Sequence, residues 1–138
     1  MQPLDFLDTA AKLLMNSGAT EADIRSAVSR SDYAVFLYIR EWWAASGFRV
    51  SRGAADHTKI HQGLFHASVP QARGCGEDLR DLLTGQRKAD YDLTERFNLN
   101  KGKEALEHAR RTIKAFDAMD KRVLKEVVEH YLRQTNQL

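Results

Sequence analysis

The chain has 138 residues, of which 43% are hydrophobic and 29% charged, with 21 Lys+Arg against 19 Asp+Glu. That is one domain's length with enough apolar material for a core. The charge balance is too even for a protein whose whole surface grips nucleic acid.

The single cysteine, Cys75, excludes an internal disulfide and a cysteine zinc cluster. No apolar run approaches the roughly 20 residues of a membrane helix. The N-terminus shows no basic region followed by an apolar run, so a reducing, cytoplasmic setting is the expectation. Two prolines and eight glycines give few breaks, which favours long helices.

A first helix is predicted over Leu4–Met15, with Leu4, Leu7, Ala11 and Leu14 on one face. Asn16-Ser17-Gly18 stops it, with Gly18 suited to a left-handed cap. Thr20 caps a second helix that runs unbroken to Ser46-Gly47, about 40 Å at 1.5 Å per residue. Tyr33 to Ile39 is apolar or aromatic all round, as in a helix surrounded by protein. Trp42 and Trp43 point about 100° apart, so one of them faces an interface or is covered by a flanking loop.

Residues 47–59 read as a basic loop and Lys59–Ser68 as a short helix. Pro70–Gly76 reads as a break. Glu77 to Asp92 is the next helix, with Gly85 costing about 1 kcal/mol against alanine. Asn100 is the expected cap of the last helix, which carries Leu106, Ala109, Ile113 and Phe116, then Val123, Val127 and Tyr131. Asp120 falls where that pattern wants an apolar residue, so the helix bends or leaves the core near Met119–Lys121. The predicted fold is all-α, a helical bundle of four to five helices.

Four polar groupings stand out. Arg30 and Arg40 lie beside the apolar middle of the second helix, where a buried arginine needs a partner such as Asp32 or Asp90. Arg87, Asp90 and Tyr91 share a stripe in Gln86-Arg87-Lys88-Ala89-Asp90-Tyr91-Asp92. His57 and His61 are four apart, but no third ligand at a familiar spacing joins them, so no metal site is expected. Arg52 and His57 pair a phosphate-binding fork with a group that moves protons near neutral pH.

Three stretches together resemble the HEPN family (higher eukaryotes and prokaryotes nucleotide-binding domain), in particular its small stand-alone prokaryotic members. They are Arg25 to Phe36, Lys59 to Phe65, and Arg87-Lys88-Ala89-Asp90-Tyr91-Asp92. The resemblance covers residues 4–118, and 119–138 reads as a C-terminal helical extension. It implies an up-and-down bundle paired as a homodimer, and membership of a toxin–antitoxin or phage-defence module. The activity it implies is metal-independent RNA cleavage without a cofactor, and the partner a minimal nucleotidyltransferase antitoxin.

Family ribonucleases carry an arginine followed a few residues later by a histidine on the penultimate helix. Here Asp90 and Tyr91 follow Arg87 instead, and Arg52–His57 fits the pattern at a different place. The site expected on this basis gathers Arg30, His61, Arg87, Asp90 and Tyr91, with Arg52 and His57 as the reserve pair. The alternative is a non-catalytic module that docks a partner protein, a nucleotide or RNA.

Overall fold

The computed structural model describes all 138 residues and contains only helices. They are α1 (Asp5–Met15), α2 (Glu21–Ala45), α3 (Ala55–Phe65), α4 (Pro70–Tyr91), α5 (Leu99–Ala118) and α6 (Lys121–Gln134). The long α2 is central and packs against α1, α4 and α5, while α3 packs on α4 and touches α6. No helix is long and apolar enough to cross a membrane.

Local chemistry sets most boundaries. Thr20 and Asp23 form a reciprocal capping box that starts α2, with Thr20 Oγ1 accepting from the Asp23 amide at 3.2 Å. At its other end Gly47 adopts φ 91°. The Gly47 and Phe48 amides donate back to Ala44 and Trp43, and the Phe48 ring packs edge-on against Trp43 at 5.2 Å. This is a Schellman ending with its apolar contact. Gly18, by contrast, keeps negative φ, because the Asn16 side chain accepts its amide and makes that turn unaided.

The bundle has six helices, not four to five. Asp120 accepts from the Arg122 and Val123 amides, so it is the N-cap that divides the predicted last helix in two. Leu124, Val128 and Leu132 of α6 then join the main core with Val35, Ile39 and Trp43. Asn98, not Asn100, caps α5.

α3 begins at Ala55, inside the predicted loop. α4 begins at Pro70, inside the predicted break, because proline's fixed φ and missing donor suit a first helical turn. Trp43 is fully buried. Trp42 is covered by Phe48 of the following loop and by Phe116, edge-on at 6.3 and 5.6 Å.

Gly76 is a point of close approach. A Cβ there would lie 2.6 Å from the Phe65 amide nitrogen and 2.7 Å from the His61 carbonyl oxygen, both backbone atoms of α3. Nothing lies within 4 Å of the same position at Gly74. Gly76→Ala is therefore expected to destabilise by about 1–3 kcal/mol through overpacking. Gly74→Ala is expected to stabilise by about 0.5–1 kcal/mol through helix propensity. Urea unfolding of the two variants checks the opposite signs.

Candidate functional site

The end of α4 is fastened to α2 by one arginine. Arg25 is buried and donates to the carbonyls of Lys88, Ala89, Asp92 and Glu95, with Nη1 at 3.3, 3.0 and 2.9 Å from the first three. Its Nε meets Glu21 at 3.1 Å, and its guanidinium lies 4.7 Å from the centroid of the Phe97 ring. One turn further along α2, Ser29 Oγ donates to Asp90 Oδ2 at 3.0 Å, and Gln86 Nε2 donates to the same oxygen at 2.6 Å. Asp92 closes the turn by accepting from the Thr94 amide and hydroxyl. The Ala-Asp-Tyr-Asp stretch is thus a fastening, with Tyr91 left 80% exposed.

A second network lies deeper, between α2 and α3. Asp32 is fully buried, and His57 Nε2 meets its Oδ1 at 3.0 Å. The His57 ring stacks on Phe36 with centroids 4.3 Å apart, and its Nδ1 is buried without a partner. Neighbouring Asp56 accepts from the Ser51 amide and hydroxyl and from the Arg52 amide, at 2.7–2.8 Å. Burial alone raises the Asp56 carboxyl. These hydrogen bonds and the Arg40 charge outweigh it and hold the group below the ordinary carboxylate range. They also hold Arg52 in the left-handed region at φ 61°. Arg52 is exposed and His57 buried, so this pair presents no common open surface.

His61 stands one turn beyond His57 and is half-buried, with no carboxylate partner of the kind held by His57 and His108. It shares a cavity of about 280 Å³ at the α3–α4 seam with Phe65, His66, Gly76 and Arg80. Burial lowers its pKa below the ordinary histidine value, and the charges of His57, Arg80 and Arg87 lower it further. Tyr33 is raised by burial and then by Asp90, Asp32 and Tyr91, with Arg30 opposing.

Tyr33 therefore feels Arg30, Asp90 and Tyr91, and His61 feels Arg87. Arg30 and Arg87 are both exposed, and Arg30 lies 5.6 Å from the centroid of the Phe6 ring. Neither Asp32 nor Asp90 pairs with Arg30 or Arg40, since His57 takes the first and Ser29 and Gln86 the second. Arg80 is absent from the sequence-based site, although it precedes Arg87 by seven residues on one face of α4. No three His, Cys, Asp or Glu side chains are grouped as a metal ion would need.

Comparison with protein-family models, with curated proteins and with solved structures finds no match to this chain.

Two predictions follow from these networks. Arg25→Ala strands four carbonyls and is expected to cost about 3 kcal/mol, with faster amide exchange in the last turn of α4. Arg25→Lys recovers only part of this, because a point ammonium cannot span the four acceptors. Protonating His61 costs more in the folded chain than in the unfolded one. Its contribution to stability is full above about pH 6.5 and is lost as pH falls through the lowered folded value. Urea midpoints between pH 8 and 5 are expected to fall less steeply in His61→Gln.

Proposed function

We propose that this chain is a HEPN-type RNA-cleaving toxin of a toxin–antitoxin or phage-defence module, with its site at the α2–α3–α4 face. The observation that carries this is an open imidazole, kept neutral by burial and by neighbouring cations, that shares a cavity with Arg80 and feels Arg87. A neutral imidazole can take a proton, and guanidiniums beside it favour the negative charge of a phosphodiester.

In the proposed reaction His61 accepts the 2′-hydroxyl proton. The 2′-oxygen then bonds to phosphorus, and the bond from phosphorus to the 5′-oxygen breaks. Arg87 and Arg80 stabilise the charge on the pentacoordinate phosphorus, and solvent protonates the leaving oxygen. The product ends in a 2′,3′-cyclic phosphate, and no metal or cofactor takes part. Arg30 holds a flanking phosphate. Asp90 and Tyr91 orient the site, Asp90 through Ser29 and Gln86. A second copy of the chain completes the RNA cleft, and a minimal nucleotidyltransferase is the antitoxin partner.

A non-catalytic RNA- or protein-docking module is the second reading. It is favoured by the way Arg25 and Asp90 are used up in fastening α4 to α2. The two separate when the protein is incubated with total RNA in EDTA. The toxin reading predicts RNA fragments with cyclic phosphate ends, with cleavage falling at least a hundredfold in His61→Ala and clearly reduced in Arg87→Ala. RNA that stays intact, or cleavage undiminished in both variants, overturns it.

A further inference from the structure

Two cavities adjoin along the seam between α3 and α4. The first, of about 280 Å³, holds His61, Gly76 and Arg80. The second, of about 420 Å³, holds Ser68, Pro70 and Arg73 and takes no part in the proposed cleavage. Phe65 and His66 line both, so the two cavities meet at these rings.

No Asp or Glu side chain lines either cavity. Arg73 and Arg80 are exposed and lie seven residues apart, about 10 Å along one face of α4. Each makes one surface ion pair through Nε, Arg73 with Glu77 at 3.6 Å and Arg80 with Asp81 at 3.7 Å. Such exposed pairs are worth little, so a ligand anion can displace them. A single small anion needs one such fork. Arginines in two adjoining cavities, with exposed Arg87 seven residues further along the row, fit a chain of anions.

Rings stand between the arginines. His66 is exposed and stacks on Tyr131 of α6, with centroids 5.2 Å apart and planes 8° from parallel. It meets the half-buried Phe65 edge-on at 5.0 Å. The Arg73 guanidinium lies 4.4 Å from the centroid of the same Phe65 ring, which holds it at the second cavity. Open rings beside a row of cations suit a single strand, whose bases stack on the rings while its phosphates meet the cations. The bases of a duplex are stacked on one another and cannot reach such rings.

We propose that single-stranded RNA runs along this seam, with a nucleotide flanking the cleaved bond in the second cavity, its phosphate on Arg73 and its base against His66. This rests on the toxin reading for the place of the cleaved bond at His61. The binding itself rests on the rings and the arginines.

The test is fluorescence anisotropy of the full chain with a labelled, unstructured 2′-fluoro RNA of about 12 nucleotides, alone and annealed to its complement. This probe lacks the attacking hydroxyl and stays intact. Saturable binding of the single strand is expected, at least tenfold tighter than of the duplex. Arg73→Gln is expected to weaken it at least threefold and to lower the slope of log affinity against log salt by about 0.7, one phosphate's share for a single strand. His66→Ala is expected to weaken it at least fivefold, the loss of one stacked base. Both side chains are exposed, so the fold survives either change. The proposal is overturned by absence of saturable binding, by duplex binding as tight as the single strand, or by unchanged affinity in either variant. The two readings fail separately. Binding that needs Arg73 and His66 in a protein that leaves RNA intact keeps the track and removes the toxin reading. Cleavage lost in His61→Ala, with probe binding unchanged in Arg73→Gln, does the reverse.

Discussion

A single guanidinium determines how the bundle's polar face is assembled. The last carbonyls of any helix lack partners within it, and those at the end of α4 lie within reach of α2. Arg25 supplies the donors from α2, reaching Lys88, Ala89, Asp92 and Glu95 at once. Its charge also sits at the negative end of the α4 dipole, which lowers the cost of burying it. With four acceptors, Glu21 and the Phe97 ring around it, the cation is fully partnered. The register of α2 on α4 follows. Ser29 falls opposite Asp90, and Tyr33, one turn on, comes within reach of Asp90 and Tyr91.

Helix identity was legible in the sequence wherever it depends on the chain's own neighbourhood. The Thr20 cap, the apolar middle of α2 and the misfit at Asp120 are all local signals, and each corresponds to a feature of the structure. Gly76 shows where such signals end. In sequence it resembles a breaker after Pro70, yet it is the point where α3's backbone lies against α4. Whether a glycine breaks a helix or admits a neighbour depends on what packs there, and one sequence does not contain that information. The same holds for Gly18 and Gly47. Both follow a helix, but the Asn16 side chain makes the first turn unaided, whereas Phe48 must fold back onto Trp43 at the second.

The polar face was legible in part. The stripe of Arg87, Asp90 and Tyr91 follows from helical spacing. Its link to α2 through Ser29 does not, because the partners are 61 residues apart. Arg25 was visible only as the first letter of a family-like stretch. Its place beside Ile24, on the face that also carries Ala27 and Val28, was the signal that it turns inward. Asp32 was expected to balance an arginine and instead balances a histidine 25 residues away. Charge matching in sequence picks the strongest opposite charge, whereas packing picks the nearest.

His57 and His61 show what burial does to one residue type on one helix. Four residues apart, they project from nearly the same face of α3. His57 is pressed onto Phe36, with Nε2 held by a carboxylate that water does not reach and Nδ1 enclosed. Asp32 and the Phe36 ring together hold the imidazole in one orientation. A buried pair of this kind adds little net stability, because desolvation consumes most of the attraction. What it supplies is orientation. Asp32 and Phe36, one turn apart on α2, grip one imidazole and set the rotation of α3 about its axis. That rotation places His61 at the α4 seam beside Arg80, so the buried histidine determines what the half-buried one faces.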